Sequence, residues 1–141
     1  MHHALFEVLT GRYADGRSLP PVAGVAEVRR SVQDHLTRLL NARRGSLRHL
    51  PDYGLPDIGP VYLGLPNTIN DLVENIRTSI VRYEPRLLDV QVRARDVNKG
   101  DNVLFIDIDA RLVSGHEVRF ETYFFRDKAA EVWPRRRREQ G

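Results

Sequence analysis

The sequence contains no cysteine, so it forms no disulfide and offers no thiolate nucleophile and no cysteine ligand for zinc or an iron–sulfur cluster. No apolar run approaches the roughly 20 residues that a membrane-crossing helix needs. Met1 to Glu7 lack the basic start and long apolar centre of a signal peptide, and the expected compartment is the cytoplasm. Lysine is nearly missing: Lys99 and Lys128 stand alone among many arginines. Arginine favours planar, two-point pairing with carboxylates, although a GC-rich genome would produce the same bias without any function. The five histidines (His2, His3, His35, His49 and His116) include no HExxH or other close ligand pair with a supporting carboxylate. No GxSxG, P-loop or GxGxxG pattern occurs, and no serine has an identifiable base partner. No metal, cofactor or small-molecule substrate is expected.

What is present is an ordinary globular composition, 41% hydrophobic and 29% charged over 141 residues, enough for one domain. Four of the 22 basic side chains, Arg135 to Arg138, and one of the 19 acidic ones, Glu139, follow Pro134. The first 134 residues are therefore neutral, with 18 charges of each sign. A nucleic-acid binder would carry a basic body. A nucleic-acid or acidic-surface module built on the arginine-rich tail is thus an alternative that rests on the tail alone.

Residues 1–23 read as a short apolar anchor (Leu5, Phe6, Val8, Leu9) followed by an irregular connection broken by glycine and proline. Residues 24–127 read as a single domain and 128–141 as a basic tail. From Gly24, Val25, Val28, Val32, Leu36, Leu39 and Leu40 make one apolar stripe at helical period. Arg43 and Arg44 would then fall in the last turn, favoured by the helix dipole, with Gly45 as the C′ residue. Residues 46–66 carry too much proline and glycine for regular structure. Their many apolar side chains predict a loop laid over the core. A second helix is expected from Asn67 or Thr68, with Thr68 to Asp71 approximating a capping box. It should end near Glu84, ahead of Pro85.

Three alternating runs follow, Leu88 to Arg95, Leu104 to Leu112 and Glu117 to Arg126, each with the period of two expected of strands. Helices first and strands second predict an α+β domain, with two amphipathic helices on one face of a three-stranded antiparallel sheet. Opposed residues share a face, and avoiding a like-charge Asp89–Asp109 pair selects a register. It sets Val92 opposite Ile108, Val90 opposite Ala110, Arg93 opposite Asp107 and Asp89 opposite Arg111. The last run is expected to be an edge, its unpaired backbone a docking site for an incoming strand. Phe105, Tyr123 and Phe125 fall on the outer face. They are either contact surface or packed beneath the N-terminal segment or a helix.

Paired carboxylates would be needed for a glycosidase, and one of them must be kept protonated near neutral pH. Glu84 is the most placed-looking acid, but Arg86 two residues on would lower its pKa. A lysozyme-like hydrolase is therefore disfavoured.

The run Ser31 to Ser46 (SVQDHLTRLLNARRGS) resembles the signature of the TssE family, wedge proteins of the type VI secretion baseplate related to the small wedge protein of contractile phage tails. Pro51 to Asp57 (PDYGLPD) and Glu84-Pro85-Arg86 agree with it, in order, within roughly residues 5 to 127. The phage relatives were long labelled lysozyme-like. The resemblance implies a non-enzymatic assembly protein that joins other baseplate wedge subunits and templates the contractile sheath. Its partners would be wedge and sheath subunits, with no membrane insertion. It also implies that Glu84 and Arg86 hold the protein to the wedge core, an internal ion pair being the competing reading. Arg43 and Arg44 could pair with partner carboxylates or simply cap the helix. Tyr123 and Phe125 complete the expected contact residues.

Overall fold

The computed structural model describes residues 21–95, 97 and 102–135. The expected N-terminal anchor, the turn around Lys99 and Arg136 to Arg138 lie outside the described residues. Helix α1 (Pro21–Asn41) begins three residues ahead of the expected Gly24; proline suits a first turn, whose N–H groups have no intrahelical partner. Its stripe is buried, Val32, Leu36 and Leu39 completely.

The helix stops at Asn41, earlier than expected, and that side chain holds the stop. Asn41 Nδ2 donates to the carbonyls of Thr37 (2.8 Å) and Ala130 (3.0 Å), and its Oδ1 accepts from the Ala130 N–H at 2.8 Å. Arg43 and Arg44 therefore lie beyond the helix, not in its last turn. They run beside Leu55 in an isolated parallel bridge, with Arg44 N–H donating to the Leu55 carbonyl at 2.9 Å and Leu55 N–H to the Ala42 carbonyl at 3.0 Å. Gly45, at φ 92°, serves the turn leaving this bridge and is not the helix C′ residue.

The proline-rich stretch does lie over the core: Leu55, Tyr62 and Leu65 are buried. Contrary to expectation it also holds a short helix, α2 (Gly59–Leu63), with Pro60 in its first turn. The Tyr62 hydroxyl donates to the Phe124 carbonyl, and burial pushes its pKa up to about 12. Helix α3 (Ile69–Tyr83) ends before Pro85 as expected. The capping box does not form, because Thr68 Oγ1 donates instead to the Val61 carbonyl at 2.6 Å.

The sheet is antiparallel, in the order β1 (Leu87–Arg95), β2 (Val103–Leu112), β3 (Glu117–Phe125) and β4 (Glu131–Pro134). It has four strands, not three, and β4 lies inside the stretch expected to be tail. As a four-residue run ending in Pro134 it gives too few alternations to register as a strand, and proline is tolerated there because the strand is an edge. β3 thus lies between β2 and β4. The docking edge expected at Glu117 to Arg126 does not exist; among the described residues the sheet's edges are β1 and β4.

The expected pairing holds for Val92 with Ile108 and Arg93 with Asp107. A bulge between Leu88 and Gln91 then shifts the register, so Leu88, not Asp89, faces Arg111. Asp89 takes a left-handed φ of 53° there, a conformation aspartate tolerates better than most residues. α3 lies along β1 and α1 along β4, together covering the sheet face formed by Ile106, Ile108, Val118, Phe120 and Val132.

Candidate functional site

The turn from α3 into β1 carries Glu84-Pro85-Arg86. Proline at 85 ends the helix and points the chain into the sheet, leaving the flanking side chains folded inward. Glu84 is 1% exposed and Arg86 8%. The pair is bidentate: Arg86 Nε donates to Glu84 Oε1 and Nη2 to Oε2, both at 2.9 Å. Arg86 Nη1 also donates to Ser31 Oγ at 2.7 Å. From α1, His35 Nδ1 donates to Glu84 Oε2 at 2.8 Å, and its Nε2 lies 3.1 Å from the Tyr53 hydroxyl.

Burial works to raise the Glu84 pKa, but the hydrogen bonds from His35 and Arg86 outweigh it and hold the carboxyl at about 2. A glycosidase acid needs the opposite shift. Burial likewise raises the pKa of Tyr53, which leaves its hydroxyl a poor nucleophile. The arrangement is a brace tying α1, the Tyr53 loop and the α3–β1 turn together.

His35, which in the sequence stands only among histidines with no close ligand pair, is a partner of Glu84 that the sequence reading missed. The available signal was spacing: Ser31 and His35, four apart, share one helix face, and a buried acid requires nearby cations. Asp52 pairs with Arg82 at 3.2 Å, and Asp57 accepts the Gly59 N–H at 3.2 Å.

The outer sheet face is a second region. Arg95 bridges Asp107 (2.7 Å) and Glu121 (3.0 Å), and Arg135 approaches the same two acids at 3.4 and 3.8 Å. The Arg95 hydrogen bonds keep the Asp107 pKa below its usual value, against burial. Arg93, although opposite Asp107, reaches diagonally toward Asp109 at 4.0 Å. Beside this network Phe105, Tyr123 and Phe125 make edge-on contacts, with ring centroids 5.3 and 6.3 Å apart. Phe105 is 38% and Trp133 51% exposed. Neither α1 nor α3 lies over these rings; the N-terminal segment, the other expected cover, is outside the described residues.

Arg43 and Phe125 lie at the same end of the sheet. They line a groove of about 140 Å³ with Leu55, Ile58, Lys128 and Ala130. Arg44 turns the other way, donating to Asn75 Oδ1 at 3.3 Å, and Glu84 and Arg86 are not part of this surface. Among the described residues no cluster of histidine and carboxylate side chains could hold a metal ion, and no helix is long and apolar enough to cross a membrane.

The family model for baseplate wedge protein gp25 matches residues 26–117, which run from α1 to the start of β3. The chain belongs to the baseplate wedge protein gp25 family. Membership gives it a structural baseplate role. Among solved structures, it resembles a chain of the baseplate complex from the type VI secretion system at 28% identity and a TM-score of 0.64, covering 73% of this chain and 97% of that one. A protein of Geobacter sulfurreducens named for a tail lysozyme shares the fold, at 19% identity and a TM-score of 0.52, covering 72% of this chain and 93% of that one. No curated protein matches. Glu84 itself faces inward and is fully paired with Arg86 and His35.

Proposed function

We propose that this gp25-family protein is a non-enzymatic subunit of a type VI secretion baseplate, on its cytoplasmic side, where it joins the wedge subunits and templates the first ring of the contractile sheath. The likeness to a chain of the type VI baseplate complex, over 97% of that chain's length, carries the reading. Two features of the molecule support it. The β1 edge is nine residues long, enough to accept an extended strand from a sheath subunit. Its bulge and charged residues discourage pairing between two copies of the same edge.

Glu84 and Arg86 serve the wedge by holding the turn in shape, with exposed Pro85 at its apex as the part a partner touches. Co-expression with the wedge and sheath subunits of the same secretion system tests the proposal. The chain should co-purify with the wedge subunits in a defined complex, and removing it should prevent sheath polymerisation on that complex. A chain that stays monomeric in their presence, or sheath that assembles equally well without it, would overturn the reading.

A further inference from the structure

The outer face of the sheet meets its polar demands within the chain. Arg95, Asp107, Glu121 and Arg135 neutralise one another, and Lys128 is paired with Glu131 at 3.8 Å. The Tyr123 hydroxyl donates to Glu121 Oε1 at 2.8 Å, and the Trp133 indole N–H donates to Glu131 Oε1 at 3.1 Å. What this end of the face leaves unmet is apolar. Phe105 pairs with Tyr123 across β2 and β3, Phe125 follows two residues on, and Trp133 lies diagonal to Tyr123 on β4. Phe105 and Trp133 remain 38% and 51% exposed, and α1 and α3 are already committed to the other face. Aromatic surface gathered in one patch, not scattered singly, marks a contact site.

The chain itself carries a segment of the matching kind. Residues 1–20, outside the described residues, hold Leu5, Phe6, Val8 and Leu9 close together. The same stretch carries Glu7, Arg12, Asp15 and Arg17, two charges of each sign. It therefore brings apolar surface and no net charge to a face that calls for none. Reach is sufficient. α1 runs antiparallel to β4, with Asn41 at Ala130 and Gln33 at Val132, so Pro21 lies beyond the Pro134 end of the sheet. The helix from Gln33 back to Pro21 measures about 18 Å. Thr10 to Pro20, extended, span about 36 Å, enough to return along β4 and pass round its edge to Trp133 and Tyr123. Tethering also raises the local concentration of this segment above that of a separate chain.

We propose that Ala4 to Leu9 of the same chain dock on the patch formed by Phe105, Tyr123, Phe125 and Trp133, crossing the β4 edge to reach it. The driving force is burial of aliphatic and aromatic surface on both sides. Tyr123 and Phe125 are then covered within the chain and are not contacts for another subunit. That leaves the β1 edge and the Pro85 turn as the surfaces free for partners. The inference rests on the outer face and on the sequence of residues 1–20, and it stands apart from the baseplate reading.

Because the sequence has no cysteine, Ala4→Cys gives a single site for a nitroxide label in the full chain. The label should broaden the amide NMR signals of Phe105, Tyr123 and Trp133 and spare those of α3, which lies on the other face. Adding Leu5→Glu and Leu9→Glu should restore the signals. So should Phe105→Thr, a residue that suits a strand but offers little apolar surface. Trp133 is the only tryptophan, so its fluorescence reads the cover directly. In unlabelled chains the Leu5→Glu, Leu9→Glu pair should shift its emission to the red and raise its quenching by acrylamide. The circular dichroism of that variant should match the parent's, since neither position lies in the described core. Broadening centred on α3, broadening absent or unchanged by the Leu5→Glu, Leu9→Glu pair, or the same Trp133 emission in both chains would overturn the proposal. So would broadening passed from a labelled chain to a separate isotope-labelled one, the sign of a second copy on the patch.

Discussion

Burial alone would keep the Glu84 carboxyl protonated at mildly acidic pH; hydrogen bonds from His35 and Arg86 reverse that and hold it at about 2. Because the folded value lies below the ordinary 4.5, the stabilisation is fully present above pH 4.5 and fades as pH falls toward 2. The shift corresponds to about 3 kcal/mol, of which about 2 kcal/mol is gone by pH 3. Glu84→Gln should therefore cost several kcal/mol at pH 7 and destabilise far less relative to wild type at pH 3. Urea unfolding at the two pH values reads this directly; an equal cost at both would show that the charge of Glu84 does not matter. Arg86→Ala should be as severe at pH 7, roughly 3–5 kcal/mol, because it strands a buried anion.

Among the elements, the Pro51–Leu65 loop depends on one close approach. Gly54 has φ 103°, and a Cβ there would lie 2.3 Å from the Ala42 carbonyl oxygen. Its own carbonyl accepts the Ser79 hydroxyl of α3 at 3.2 Å. Adding a methyl group would force the loop off both α3 and the Arg43 bridge. Gly54→Ala should cost about 2–4 kcal/mol, combining left-handed strain with a backbone clash. Gly45→Ala is the control: its φ is also positive, but a Cβ there meets nothing within 4 Å, so the cost should stay near 1 kcal/mol. Thermal melts of the two variants separate strain from contact, and similar shifts would show that the close approach is unimportant.

At the scale of the whole molecule, the sheet continues past residue 127, where the domain was expected to end, as far as Arg135. Val132 and Ala130 are buried, Gln33 Nε2 donates to the Val132 carbonyl at 2.8 Å, and Arg135 N–H extends the ladder to the Arg119 carbonyl at 2.8 Å. A chain ending at Arg135 should melt like the full protein and lose steeply salt-dependent binding to DNA, because three of the four clustered arginines go with the tail. A chain ending at Asp127 should be strongly destabilised through loss of β4. If the 135-residue chain still binds DNA with a steep salt slope, the basic contribution lies in the body.

Composition and periodicity were enough to determine an α+β domain of amphipathic helices and antiparallel strands, the helix end at Pro85 and the pairing of Val92 with Ile108. These depend on local propensity and on which face of each segment is apolar, and both are written along the chain. Tertiary structure alone decided the rest. β4 exists because β3 offers a free ladder and α1 covers Val132, not because four residues favour a strand. The bulge at Asp89 slips the register by one without changing the alternation elsewhere. Arg43 lines a groove with Phe125 because a distant loop pairs with the chain past α1. Glu84 and Arg86, close in sequence, read equally well as a surface contact or a buried pair; burial beneath α1, with Ser31 and His35 supplying the remaining hydrogen bonds, made them an internal brace.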